Sequence, residues 1–258
     1  MGALLAFVAL ALLCSSSAQA QDRVAVDLEL VLAVDTSSSV SASEYDLQME
    51  GLARAFREPA VIGAIRSAGD QGIAVAVVQW AESRNQVLAV PWRLVRDAAS
   101  GEAFARDIEA AKRQIPGGAT GISESIAFSM RQIDGNRFAG LRKVIDISGD
   151  GRANHGPPPQ AAREAAAAAG VTVNALAILN EIPLLDRYFR DQVIVGSGAF
   201  VVVARDWEDF AGAIVKKLIR EIAATPVAEL PERPYRAGDV RSKNTISQNP
   251  PRLSWRRM

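Results

Sequence analysis

The chain has 258 residues, 49 % of them hydrophobic and 22 % charged, with 29 basic and 29 acidic side chains. That length holds one sizeable α/β domain plus terminal extensions, and a formal net charge of zero excludes a globally basic nucleic-acid binder. The one cysteine, Cys14, excludes a disulfide framework.

Residues 1–20 combine an apolar run, a Ser-rich spacer and Ala18-Gln-Ala20, which reads as a secretory signal with cleavage before Gln21, although no Lys or Arg precedes the run. The run is too short for a stable membrane span. Bulky Leu13 before Cys14 argues against lipid attachment there, so the expected mature chain has no thiol and is periplasmic or secreted.

Leu28 to Val34 is a β-branched apolar run that predicts a buried strand of a parallel sheet. It ends in Asp35-Thr-Ser37-Ser-Ser39, one carboxylate and a cluster of hydroxyls. Ser41 and Glu44 form a capping-box pattern, and Tyr45, Met49, Leu52 and Phe56 then recur at helical spacing. Pro59 opens a short helix through Ile65, and Ile73 to Val78 reads as the second buried strand. Val87 to Val90 predicts an antiparallel edge strand closing a hairpin, where Pro91 is tolerated.

Gly101 to Gln114 reads as a helix, and Ile115 to Thr120 as a Gly-rich loop. Thr120 is expected to cap the next helix, whose apolar face is Ile122, Ile126, Met130 and Ile133. Leu141 to Ile147 is a third buried strand, ending in Ser148-Gly149-Asp150-Gly151. Pro157 to Pro159 suit the first turn of an Ala-rich helix stopped by Gly170. Val171 to Ile178 is a strand, Pro183 to Arg190 a short helix, Ala199 to Val203 a strand, and Asp206 caps a last helix. The alternation predicts a Rossmann-like, doubly wound, mostly parallel six-stranded sheet with one antiparallel edge strand and helices on both faces. Residues 21–224 form the domain; residues 225–258, with seven Lys and Arg against three acids and no apolar period, read as a disordered basic tail.

Ligands of open α/β sheets sit beyond the carboxyl ends of the strands. Asp35, Ser37, Ser39, Thr120 and Asp150 all fall on that rim, and an all-oxygen set of this kind suits Mg²⁺, or Mn²⁺ or Ca²⁺, better than a soft metal. Their order and spacing resemble the metal-ion-dependent adhesion site of von Willebrand factor type A domains, over about residues 26–223. Val90-Pro-Trp92, the run Val144 to Gly151 and Gly156-Pro-Pro-Pro159 further resemble a bacterial family of exported proteins whose function is not assigned. The resemblance implies that Ser37, Ser39 and Thr120 contact the metal and that Asp35 and Asp150 hold it directly or through water. It also implies that a partner protein's Glu or Asp completes the coordination. Gly149 departs from the pattern, since many relatives have Ser or Thr there.

Two enzymatic readings compete. Asp35 and Asp150 also resemble the first and last motifs of haloacid-dehalogenase-like phosphatases, a metal-assisted hydrolase. Ser37, however, stands where such an enzyme needs a general acid. Gly121-Ile-Ser123-Glu-Ser125 lacks the glycine of a serine-hydrolase elbow, and the lone His155 reads as a solvent-facing loop residue. No catalytic residue is therefore assigned. Trp80, Trp92 and Trp207 read as packing residues. Asp146, inside an apolar strand, requires buried hydrogen-bond partners and is a candidate to support the metal loops.

Overall fold

The computed structural model describes residues 23–223. The expected leader 1–20, with its cleavage site, and the tail 225–258 lie outside the described residues. Thirteen elements follow in the order β1 (Val24–Asp35), α1 (Ala42–Ala55), α2 (Pro59–Ala68), β2 (Ile73–Trp80), β3 (Gln86–Val95), α3 (Ala98–Ala110), α4 (Ile122–Gly135), β4 (Phe138–Gly149), α5 (Pro159–Ala168), β5 (Val171–Ile178), α6 (Leu185–Gln192), β6 (Val201–Ala204) and α7 (Phe210–Ala223). Among the described residues no helix is long and apolar enough to cross a membrane.

The six strands lie in the order β3-β2-β1-β4-β5-β6, all parallel except the β2–β3 pair. This is the expected fold class. β1 is buried from Val26 to Asp35 and β2 throughout, because both faces of these strands carry helices. Alternate side chains serve opposite layers. Leu28, Leu30, Leu32 and Val34 join α1, α2, α3 and α7 in the larger core, through Met49, Ile65, Phe104 and Phe210 among others. Val31 and Ala33 face α4, α5 and α6, through Ile126, Ala166 and Phe189.

Most boundaries match the pattern, and the differences have local causes. Ser41 caps α1, its side chain accepting the Glu44 N–H while Glu44 accepts the Ser41 N–H. α3 begins three residues before the expected start because Asp97 and Ser100 form a second reciprocal cap, and it stops at Ala110, short of Gln114. β3 continues past Pro91 to Val95, since Pro91 lies on an edge strand where the pairing with β2 shifts register between Val75 and Val78. Asp206 caps a turn, accepting the Asp209 N–H at 2.8 Å, and α7 starts only at Phe210. Trp80 and Trp207 are buried, and Trp92 packs against Phe138 with ring centroids 6.5 Å apart.

The chain leaves β1 for β2 and β3 on one side, then returns to β4 on the other. The carboxyl ends of β1 and β4 therefore flank the point where the winding reverses, which opens a crevice there.

Candidate metal centre

Asp35 is the last residue of β1, and Asp150 follows Gly149, the last residue of β4. Both are buried. The Asp35 Oδ1 accepts the Ser37 N–H at 2.7 Å, a local side-chain-to-backbone turn just past the strand. The hydroxyls of Ser37 and Ser39 are 3.1 Å apart, and Ser39 Oγ donates to Asp150 Oδ1 at 2.7 Å. The two halves of the rim are thus joined by a continuous chain of oxygens.

The loop between β1 and α1 is anchored from several sides. Thr36 gives its N–H and its hydroxyl to the Trp80 carbonyl, at 2.8 and 2.9 Å. Ser38 N–H donates to the Gly118 carbonyl and Gly118 N–H to Ser38 Oγ; at φ +137° the glycine reaches a backbone region that a side chain would strain. Arg113 donates to the carbonyls of Thr36, Val40 and Ile115 at 2.8–2.9 Å. Buried Gln48 donates to the Asp35 carbonyl at 3.0 Å.

Thr120 is brought to the same cleft, but not as a helix cap. Gly121 occupies the cap position of α4 and has no side chain to offer, so the Thr120 hydroxyl is not used there. Its backbone is fixed instead by Asn154, whose side-chain oxygen accepts the Thr120 N–H at 2.8 Å and whose own N–H donates to the Thr120 carbonyl. Ser39, Thr120, Asp150, Gly151, Arg152 and Asn154 line one cleft of about 270 Å³ together with Glu181 and Ile182.

Two observations test whether this cleft suits a cation. One oxygen on each carboxylate, Asp35 Oδ2 and Asp150 Oδ2, is buried with no hydrogen-bond partner among the described residues. Such atoms are costly unless something satisfies them. Burial first and the Asp150 charge second push the Asp35 carboxyl up to about 7, and burial raises Asp150 also. Two desolvated carboxylates and three neutral hydroxyls, with neither acid in an ion pair among the described residues, match a hard divalent cation. Gly149 is part of this fit: a Cβ there would lie 2.9 Å from Asp35 Oδ2, so the departure from Ser or Thr keeps room beside the carboxylate.

All five residues expected from the sequence lie at this rim. Asn154, Arg113 and Gln48 were missed. Asn154 had a faint signal, being four residues beyond Asp150 in the same loop; Arg113 and Gln48 had none, since their contacts span 73 and 13 positions. His155 is exposed. Asp146 does not support the metal loops. It points into the larger core, where Lys217 Nζ lies 2.7 Å away and is itself paired with Glu221 one turn along α7. Asn174 donates to Glu221 at 3.1 Å, and burial together with the Asp146 charge raises the Glu221 carboxyl.

A family model described as "Protein of unknown function (DUF1194)" matches residues 25–226. No curated protein matches the chain. Among solved structures, proximal thread matrix protein 1 from the mussel byssus, with a zinc-occupied MIDAS motif, is similar at 19 % identity and TM-score 0.60, over 78 % of this chain and 49 % of that one. A von Willebrand factor type A protein from Catenulispora acidiphila is similar at 18 % identity and TM-score 0.53, over 76 % and 42 %. The pilus adhesin SpaC from Lactobacillus rhamnosus GG gives 12 %, 0.55, 76 % and 30 %. The chain spans half or less of each of these proteins. At such identities the likeness shows the fold, that of a von Willebrand factor type A domain.

Proposed function

We propose that this chain, which belongs to the family described as proteins of unknown function DUF1194, is an exported module that binds a partner protein through a divalent cation. The observation that carries the reading is the pair of buried, partnerless oxygens on Asp35 and Asp150 beside three hydroxyls at the sheet's winding reversal. Ser37, Ser39 and Thr120 would contact the metal, with Asp35 and Asp150 holding it directly or through water. Mg²⁺ suits this small, oxygen-only set best, with Mn²⁺ and Ca²⁺ as alternatives. Bound there, the metal supplies a Lewis acid only partly neutralised by the protein, suited to a carboxylate from a partner's Glu or Asp.

The chain's own residues do the rest. Arg113, Gln48 and the Thr36–Trp80 bonds hold the hydroxyls in place before any ligand arrives, which limits the ordering cost of binding. The module extends over residues 21–224, behind a leader at 1–20 and ahead of a basic segment at 225–258. Export is supported by the leader-like sequence and by fold neighbours that include a pilus adhesin and a byssus protein. Ser37 leaves a haloacid-dehalogenase-like phosphatase without its acid, and nothing in the cleft favours that alternative.

Calorimetric titration of Mg²⁺ into wild type and into an Asp35→Ala/Ser37→Ala variant tests the site. Binding is expected in the wild type only, and equal heats would overturn it. Capture from an exported-protein extract, with and without chelator, should then recover a chelator-sensitive partner.

A further inference from the structure

Arg152 stands two residues past Asp150, exposed, on the wall of the metal cleft. Among the described residues it forms no ion pair, whereas Arg57, Arg93, Arg106, Arg190 and Arg205 all do. Its guanidinium is nevertheless held: it lies over the Tyr188 ring, 5.4 Å from the centroid, and the Tyr188 hydroxyl accepts the Ala153 N–H at 3.2 Å. A guanidinium stacked on a tethered ring loses less freedom when it pairs, and its fork matches a carboxylate in two parallel hydrogen bonds. Beyond Arg152 a second groove of about 250 Å³ continues along α6, past Leu184, Arg187 and Tyr188. Glu181 lies on the same cleft and Asp191 on the second groove, so a second negative group is favoured at Arg152 itself rather than beside either acid.

We infer that Arg152 reads a second acidic side chain, so that the partner offers two carboxylates on one extended peptide segment, the first at the cation and the second at Arg152. This deepens the proposed function and rests on it. Acids two apart on an extended segment project to the same side. The charge pattern of the cleft supports the pairing, since among the described residues Arg152 is the one cation lining it.

The test uses Mg²⁺-loaded full-length protein and blocked pentapeptides with one acid, or with two acids spaced by two or three residues, by equilibrium dialysis. One of the two-acid peptides should bind about five-fold tighter than the single-acid peptide, with the margin shrinking at high salt. Arg152→Gln should erase the margin between one-acid and two-acid peptides, and Arg187→Gln should keep it. Equal binding of all peptides, or a margin that survives Arg152→Gln, overturns the inference while leaving the metal site intact. Loss of Mg²⁺ binding in the wild type, or peptide binding insensitive to chelator, instead sinks the underlying reading and the inference with it. Tighter binding of digalacturonate than of either two-acid peptide overturns the peptide as the ligand.

Discussion

Replacing Asp35 by Asn separates the cost of the buried charge from its use. In the metal-free protein the Asp35 carboxyl is held at about 7 against an ordinary 3.8, mainly by burial. The unfolded chain gives up this proton near 3.8 and the folded chain keeps it until about 7. The folded state therefore binds more protons across that window, and stability falls as pH rises through it. At 1.36 kcal/mol per pH unit the wild type should lose about 3 kcal/mol between pH 5 and pH 8 in chelator. Asp35→Asn keeps an oxygen for the Ser37 N–H and introduces no charge, so it should lack this slope and be the more stable apoprotein at pH 8. Saturating metal narrows the gap. Mg²⁺ at a hundred times its Kd adds about 2.7 kcal/mol to the wild type and nothing to the variant. Urea denaturation at pH 5 and 8, with chelator or Mg²⁺, reads all four states. Equal pH slopes in the two proteins, or equal stabilisation of both by Mg²⁺, would refute the reasoning.

Three further outcomes follow from the same geometry. Gly149→Ala places a methyl 2.9 Å from Asp35 Oδ2 and should weaken Mg²⁺ about ten-fold by calorimetry while costing about 1–3 kcal/mol in urea. Arg113→Ala removes hydrogen bonds to Thr36, Val40 and Ile115 and should lower stability by about 2–3 kcal/mol, with a parallel loss of metal affinity. Lys217→Met strands Asp146 and Glu221 in the core and should cost about 3–5 kcal/mol at pH 7, whereas joint replacement of all three by apolar residues should recover most of it. Thermal melts of the single and triple variants check the last pair.

The sheet was legible because buried parallel strands leave uninterrupted apolar runs, as in Val171 to Ile178, whose predicted and observed limits coincide. Asp35, Ser37, Ser39 and Asp150 were legible as rim residues because they follow the ends of β1 and β4, and Thr120 because a Gly-rich loop leads into α4. What escaped depends on contacts far apart in sequence. No local pattern links Lys217 to Asp146, 71 positions away, and only the placing of α7 against the sheet brings them together. The misplaced Thr120 cap has a different origin. Two adjacent residues compete for one position, and only the backbone at Gly121 decides between them.

The outer borders of the sheet have a consequence for the protein in crowded solution. β6 offers only the four residues Val201–Ala204, and β3, though longer, is interrupted by exposed Pro91 where its pairing slips. Among the described residues neither border offers an incoming strand a long, regular row of free amides, so templated fibre growth is discouraged without any covalent cross-link. Self-association is thereby steered away from the sheet's borders, and the face at the carboxyl ends of the strands is left as the surface suited to specific contact.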